Sequence, residues 1–431
     1  MTTETTSLAT PGEGGVSGFY DFPEEIQLCI LSFLSPSDIA AFAATSKRSL
    51  SFCRSDAACA SAGLWSCMCH RRWDSLTQIP RWGGGRVSYR SLYRTLDRWE
   101  NLIGFWRRIG RGPPSASPPS LVFFEWGSSF LIGSRVSPSL TGYGVLKIPF
   151  IWMGFSLSGE PVSYLDPERR FDLASGDFVE AVDSDLVPVS VGFVGGNHFV
   201  VEERGFCRRS SSSDEEGSVV GGSSPPDCLM SDVYQYFANR TSTGRRHRRR
   251  ERQGRRKLDP EHFMKVANCY PTPDRPLQGL WKGICDDMRL EFYLVTYDDI
   301  GGITCRRVGE SVGPFSGYCP VFWTSNTTFI EPPFSIEEEN IYQTREHIQP
   351  LDPSCINGSS LYERIVAHIL RINSSYDLVI PDLSGNATDP RNVEGRIWQY
   401  KDGTFGFGFL RNNDIVDLKH IVLDGCLLDT V

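Results

Sequence analysis

The sequence predicts an α+β protein: a small N-terminal helical module, then a large antiparallel β-barrel domain interrupted by a long insertion with no core of its own. Three observations carry this expectation. Apolar residues recur at helical spacing from Phe19 to Trp73 and again from Val87 to Asn101. Beyond about residue 102 the grain changes to short β-branched and aromatic runs split by Gly, Pro, Ser and Asp. The 41 glycines and 27 prolines among 431 residues favour a turn-rich β architecture for the bulk of the chain.

Residues 1–17 are rich in Thr, Ser and Gly without periodicity and read as a disordered leader. A first helix follows. Asp21 can cap it, Pro23 suits a first turn that needs no N–H, and Glu24 and Glu25 favour the positive end of the dipole. Ile26, Ile30, Leu31, Phe33 and Leu34 then form an apolar stripe. Ser35-Pro36-Ser37-Asp38 repeats the start signal, and Ile39, Ala40, Phe42 and Ala43 continue a second helix. A few short helices cannot enclose so much apolar surface, and a leftover stripe is commonly a site for a partner helix. Further on, Tyr89, Leu92, Tyr93, Leu96 and Trp99 share one helical face and suit a rigid coupler to the next domain.

This stretch resembles an F-box. The resemblance rests on Phe22-Pro23, Ile26, Ile30-Leu31, Phe33-Leu34, the Ser35-Pro36-Ser37-Asp38-Ile39 turn, Thr45-Ser46-Lys47-Arg48, and the later Trp65 and Trp73. The family often has a Cys-Arg pair after its second helix, where this chain has Ser46-Lys47-Arg48. What the resemblance implies is docking on a Skp-type adaptor, and through it on a cullin-RING ubiquitin ligase of the SCF type, with the chain as substrate receptor. The residues expected at the adaptor are Pro23, Ile26, Ile30, Leu31, Leu34 and Ile39, apolar or rigidifying groups on one side of the first two helices. The plain alternative is an amphipathic hairpin that caps the next domain.

Strands are expected at 121–126, 129–132, 145–155, 187–194, 198–202, 289–297, 303–308, 341–347, 395–400 and 404–410, the last two joined by an Asp402-Gly403 turn. A helix is expected over Ser360 to Ile372, from Leu361, Ile365, Val366, Ile369 and Leu370. An internal echo pairs Gly104-Phe105-Trp106-Arg107 with Gly279-Leu280-Trp281-Lys282, each just ahead of strand-like sequence. It resembles the Gly-X-Trp of lipocalin-like barrels, where an indole plugs one end. The order of segments resembles a small set of F-box proteins, plant examples included, whose barrel binds the substrate. The expected divisions are a leader (1–17), the F-box (18–74), the coupler (75–101), a first part of one barrel (102–206), a Ser- and Arg-rich insertion (207–257) and a second part with one helix (258–431). Within the insertion, Ser210 to Ser213 before Asp214-Glu215-Glu216 suit acid-directed phosphorylation, and residues 229–237 suit docking as a strand or helix.

Net charge is −8, and Arg245 to Lys257 holds nine basic residues against Glu251, so that tract carries +8 and the remainder −16. A local basic tract on an acidic chain suits a nuclear import signal better than a nucleic-acid surface, because no stacking aromatics are interleaved. Thirteen cysteines, with no leading apolar segment, predict reduced thiols and a nuclear or cytoplasmic protein that does not engage a membrane. Cys67-Met68-Cys69-His70 is half a zinc pattern without its second half, and Gly83-Gly84-Gly85-Arg86 lacks the Lys-Ser/Thr of a phosphate loop. No metal, cofactor or catalytic set is therefore expected. The rival to a substrate receptor is a lipocalin-like carrier of a small apolar molecule, with the helices as a lid.

Overall fold

The computed structural model describes residues 18–54, 63–109, 121–139, 143–166, 186–204, 260–284, 289–298, 302–308, 321–348, 365–374, 394–423 and 425–430. The expected leader, the phosphorylation candidates, the 229–237 segment and the basic tract lie outside them.

Five helices lead the chain: α1 (Glu24–Leu31), α2 (Pro36–Thr45), α3 (Lys47–Arg54), α4 (Leu64–Trp73) and α5 (Tyr89–Glu100). Helix α2 starts with a capping box in which the Ser35 hydroxyl accepts from the Asp38 N–H and the Asp38 carboxylate accepts from the Ser35 N–H. Between α4 and α5 a 3-10 stretch, Ile79–Gly85, turns the chain through Gly83 at φ +60°. A Cβ there would lie 2.2 Å from Val87 Cγ2, so the glycine permits both the backbone and the close packing.

The helices do not form an isolated bundle. One continuous cluster of buried side chains runs from Leu28 and Leu31 of α1 through Trp65, Met68 and Trp73 of α4 and Leu92, Leu96 and Trp99 of α5 into the barrel residues Trp106, Phe124 and Phe155. Trp82 stands at its centre, with ring centroids of Trp99, Trp126 and Phe155 at 6.1–6.2 Å. Its indole N–H donates to the Thr77 hydroxyl, which itself donates to the carbonyls of Gly127 and Ser128. The 75–101 segment is thus welded to both neighbours.

One barrel was expected from the strand pattern, and two are present. Strands β1 (Gly104–Ile109), β2 (Leu121–Trp126), β3 (Leu131–Pro138), β4 (Val145–Phe155), β5 (Pro161–Leu165), β6 (Val187–Phe193), β7 (His198–Glu203) and β8 (Glu261–Lys265) close a complete antiparallel barrel. The segment 207–257 therefore falls between the last two strands of this first barrel, not between two halves of a single one. The second ring comprises β9 (Gly279–Ile284), β10 (Leu290–Tyr297), β11 (Gly302–Arg307), β12 (Val321–Asn326), β14 (Val366–Ser374), β15 (Gly395–Tyr400), β16 (Phe405–Phe409) and β17 (Asp414–His420). It closes by pairing His420 of β17 with Trp281 of β9. A short strand, β13 (Glu346–Ile348), adds in parallel to the other end of the same β17 edge.

The Gly-X-Trp echo marks this duplication. Gly104 and Gly279 both begin the first strand of their barrel at positive φ, +106° and +141°. Trp106 and Trp281 are both fully buried, and each indole donates to the carbonyl four residues back, on Leu102 and Leu277. In the second barrel the His420 ring lies on Trp281 at 3.6 Å between centroids, and burial pushes the imidazole below its ordinary value of 6.5. A depressed folded-state value stabilises the fold above pH 6.5 and gives that stability up as pH falls through the lower value, where the buried ring must charge. Accordingly, thermal melts of His420→Gln should lose less stability than wild type between about pH 7 and pH 5; parallel pH profiles would refute the assignment.

The two barrels meet through their outer walls. Phe105, Leu121, Phe123, Val136 and Val145 of the first pack with Leu280, Ile284, Leu290, Phe292 and Val308 of the second in one buried cluster. This explains why β2 is buried over its first four residues and β9 over all six: one side of each strand fills its own barrel and the other fills the seam. Lys282, with no exposed side-chain surface, donates across the seam to the Tyr143 carbonyl and the Asp429 carboxylate.

Two further expectations are corrected. Within 360–372, residues from Val366 onward form β14; Leu370 and Ile372 point into the second barrel while Ile369 packs outside, so burial on both faces mimics helical spacing. The expected strand at 341–347 is the end of a helix, α6 (Ile336–Gln343), followed by β13. Ser335 caps α6 by accepting from the Glu338 N–H.

Candidate functional site

Helix α1 has two distinct faces. Gln27, Leu28 and Leu31 turn inward, against the cluster formed by Leu64, Trp65 and Met68 of α4. On the opposite side Phe22, Ile26, Ile30 and Phe33 remain 42, 46, 43 and 66 % exposed. Ile26 and Ile30, one turn apart, share one side of α1, and Phe22 and Phe33 flank it just before and just after the helix. Burying the exposed part of each would contribute roughly half of the 1.5–3 kcal/mol that full burial of such a side chain brings.

The expected contact residues divide between these faces. Pro23, Ile26 and Ile30 are exposed and Leu34 is half-buried. Leu31 and Ile39, at 2 % each, are core side chains. Conversely, Phe22 and Phe33 stand in the outer row although the sequence reading left them out of the contact set.

Cations border the row. The Arg71 guanidinium lies 4.5 Å from the Phe33 ring and donates to the Ser32 carbonyl, fixing the α1–α2 turn from α4. Arg48 lies 4.5 Å over Tyr20, whose hydroxyl bonds Ser49 at 2.6 Å. Hydrogen bonds from Ser49 and Ser46 draw the Tyr20 phenol below its ordinary value. Chemistry of other kinds is not assembled here. The Cys69 thiol is directed at the Tyr89 carbonyl, His70 pairs with Asp74, and burial raises the Cys67 thiol. Among the described residues no three His, Cys, Asp or Glu side chains converge as metal ligands.

Among the described residues, aromatic rings pack together inside both barrels. In the first, Phe199 stacks on Phe263 at 4.7 Å and meets Trp106 and Phe124 edge-on. In the second, Trp281, Tyr293, Trp323, Phe405 and Phe407 are buried together in the interior. An interior packed with aromatic rings works against the carrier reading, which requires an apolar cavity.

The described chain thus joins a helical module that leaves apolar side chains exposed to a pair of β-barrels. Residues 19–58 match the F-box domain. The F-box protein At3g12350 of Arabidopsis thaliana is 45 % identical over 433 residues, covering 96 % of this chain and 97 % of that protein. The chain belongs to the F-box protein family.

Proposed function

We propose that this chain is the substrate-recognition subunit of an SCF-type cullin-RING ubiquitin ligase. The α1 row binds a Skp-type adaptor, the adaptor bridges to a cullin, and the barrels hold a protein target for ubiquitylation by the other subunits. The observation that carries this reading is the solvent-facing row Phe22, Ile26, Ile30 and Phe33 within the segment that matches the F-box. The chain itself makes and breaks no bonds. Its work is geometric: the unbroken apolar cluster from α1 to the first barrel keeps the adaptor face and the barrels at a fixed separation. Nuclear or cytoplasmic residence, with residues 245–257 as import signal, completes the proposal.

Affinity purification of the tagged chain with and without a proteasome inhibitor tests it. Adaptor and cullin should co-purify in both conditions, and target proteins should be enriched under inhibition. Recovery of neither adaptor nor cullin would overturn the proposal.

A further inference from the structure

On the second barrel, α6 lies against the outer wall with its inner side fully committed. Glu338 makes a bidentate pair with Arg396 at 2.8–3.1 Å, and Tyr342 packs on Trp398 at 5.7 Å. The other side borders an open cleft of about 510 Å³ lined by Ile336, Glu337, Asn340, Ile341, Arg345 and Asn413. That volume falls in the range of binding sites for small ligands and short peptide segments.

Several of its lining groups are only partly engaged within the chain. Ile336 is 78 % exposed, the highest value among the large exposed apolar side chains described. The side-chain amides of Asn340 and Asn413 have no partner among the described residues, although both backbone carbonyls accept bonds, from Thr344 and Glu346. Glu337 has no cation within ion-pair distance among the described residues. Arg345 has no carboxylate there either. It donates to the Ile341 carbonyl at 2.6 Å and at a long 3.4 Å to those of Phe409 and Leu410, while its Nε finds no acceptor. Burial and the neighbouring Arg396 press against its charge, which Asp414 offsets only from a distance. Arg396 already has Glu338, so Arg345 is the cation lacking an adjacent anion.

We propose that this cleft is where the protein target is held, and that it takes an extended peptide carrying a basic and an acidic side chain around an aliphatic one. The proposal rests on the substrate-receptor reading above. Glu337 would take the base, Arg345 the carboxylate, Ile336 and Ile341 the aliphatic group, and the two carboxamides the peptide backbone, since each both donates and accepts. Glu337 lies in the first turn of α6 and Arg345 two residues past its last, so a peptide meeting both charges runs along the cleft in extended form.

A library of synthetic peptides varying these three positions and their spacing, screened against the full chain, tests the proposal. Peptides of basic, aliphatic, acidic order should be enriched over scrambled ones. The surface variants Ile336→Asp and Glu337→Lys should each weaken the best peptide about tenfold. Glu337→Lys should also shift the preference at the basic position to an acid. No enrichment, or enrichment that neither variant alters, would overturn the proposal. Adaptor capture is measured on the same proteins and should not change with either variant. Failure of wild type to capture adaptor would count against the ligase reading alone and leave the peptide result standing.

Discussion

Replacing Ile26 and Ile30 together by aspartate should abolish capture of the adaptor while leaving the melting temperature nearly unchanged. Both side chains are more than two-fifths exposed in the free chain, so the substitution removes little packing from the fold itself. At the docked face the balance differs. Burying the part of both side chains that is still exposed contributes about 1–3 kcal/mol together, and a carboxylate forced into an apolar contact adds a larger desolvation cost. Since each 1.4 kcal/mol is about tenfold in affinity, the loss should exceed a hundredfold. Leu31→Asp provides the contrast: this side chain is 2 % exposed in the α1–α4 core, so the variant should unfold the helical module. Full adaptor binding by the Ile26/Ile30 double variant would remove the basis for the docking face. So would a fall in its melting temperature matching that of Leu31→Asp.

The different fates of Ile30 and Leu31 show where sequence reasoning stops. Apolar periodicity located α1, and the caps at Ser35 and Pro36 located α2, because both signals are local to a few residues. An apolar stripe wider than one face says that the helix has two uses, but only the position of α4 decides which residues serve which. The same limit governs the barrels. Val145–Phe155 and Gly395–Tyr400 were legible to the residue, since β-branched and aromatic runs bounded by turn residues are local features. That β17 closes onto β9, and that β8 completes a ring begun by β1 across a long insertion, depends on pairings between distant residues. The repeated Gly-X-Trp was nevertheless a visible clue: one plug per barrel makes two plugs two barrels. For α6, Ser335 followed by Glu338 is a capping-box sequence, and it outweighs the β-like flavour of Ile341 and Tyr342.

Trp82→Ala should separate holding from orientation. This indole fills the junction among Trp99 of α5, Trp126 of β2 and Phe155 of β4, and its N–H engages the Thr77 hydroxyl that ties down the turn after β2. Truncating a fully buried tryptophan costs about 3–5 kcal/mol, through lost burial and the cavity left behind. The loss falls on the junction, because the adaptor row on α1 and the aromatic filling of the first barrel lie on either side of it. Amide exchange should therefore quicken in residues 75–101 and in the turn at 127–130, with the β-barrel strands still protected. Adaptor capture should persist, while ubiquitylation of a bound target should slow, since a target on a loosened mount spends less time within reach of the transferred ubiquitin. Trp82→Phe keeps most of the ring volume and loses the hydrogen bond, so it should fall between the two. If Trp82→Ala instead releases the adaptor, or leaves exchange at 127–130 unchanged, the rigid-mount account fails.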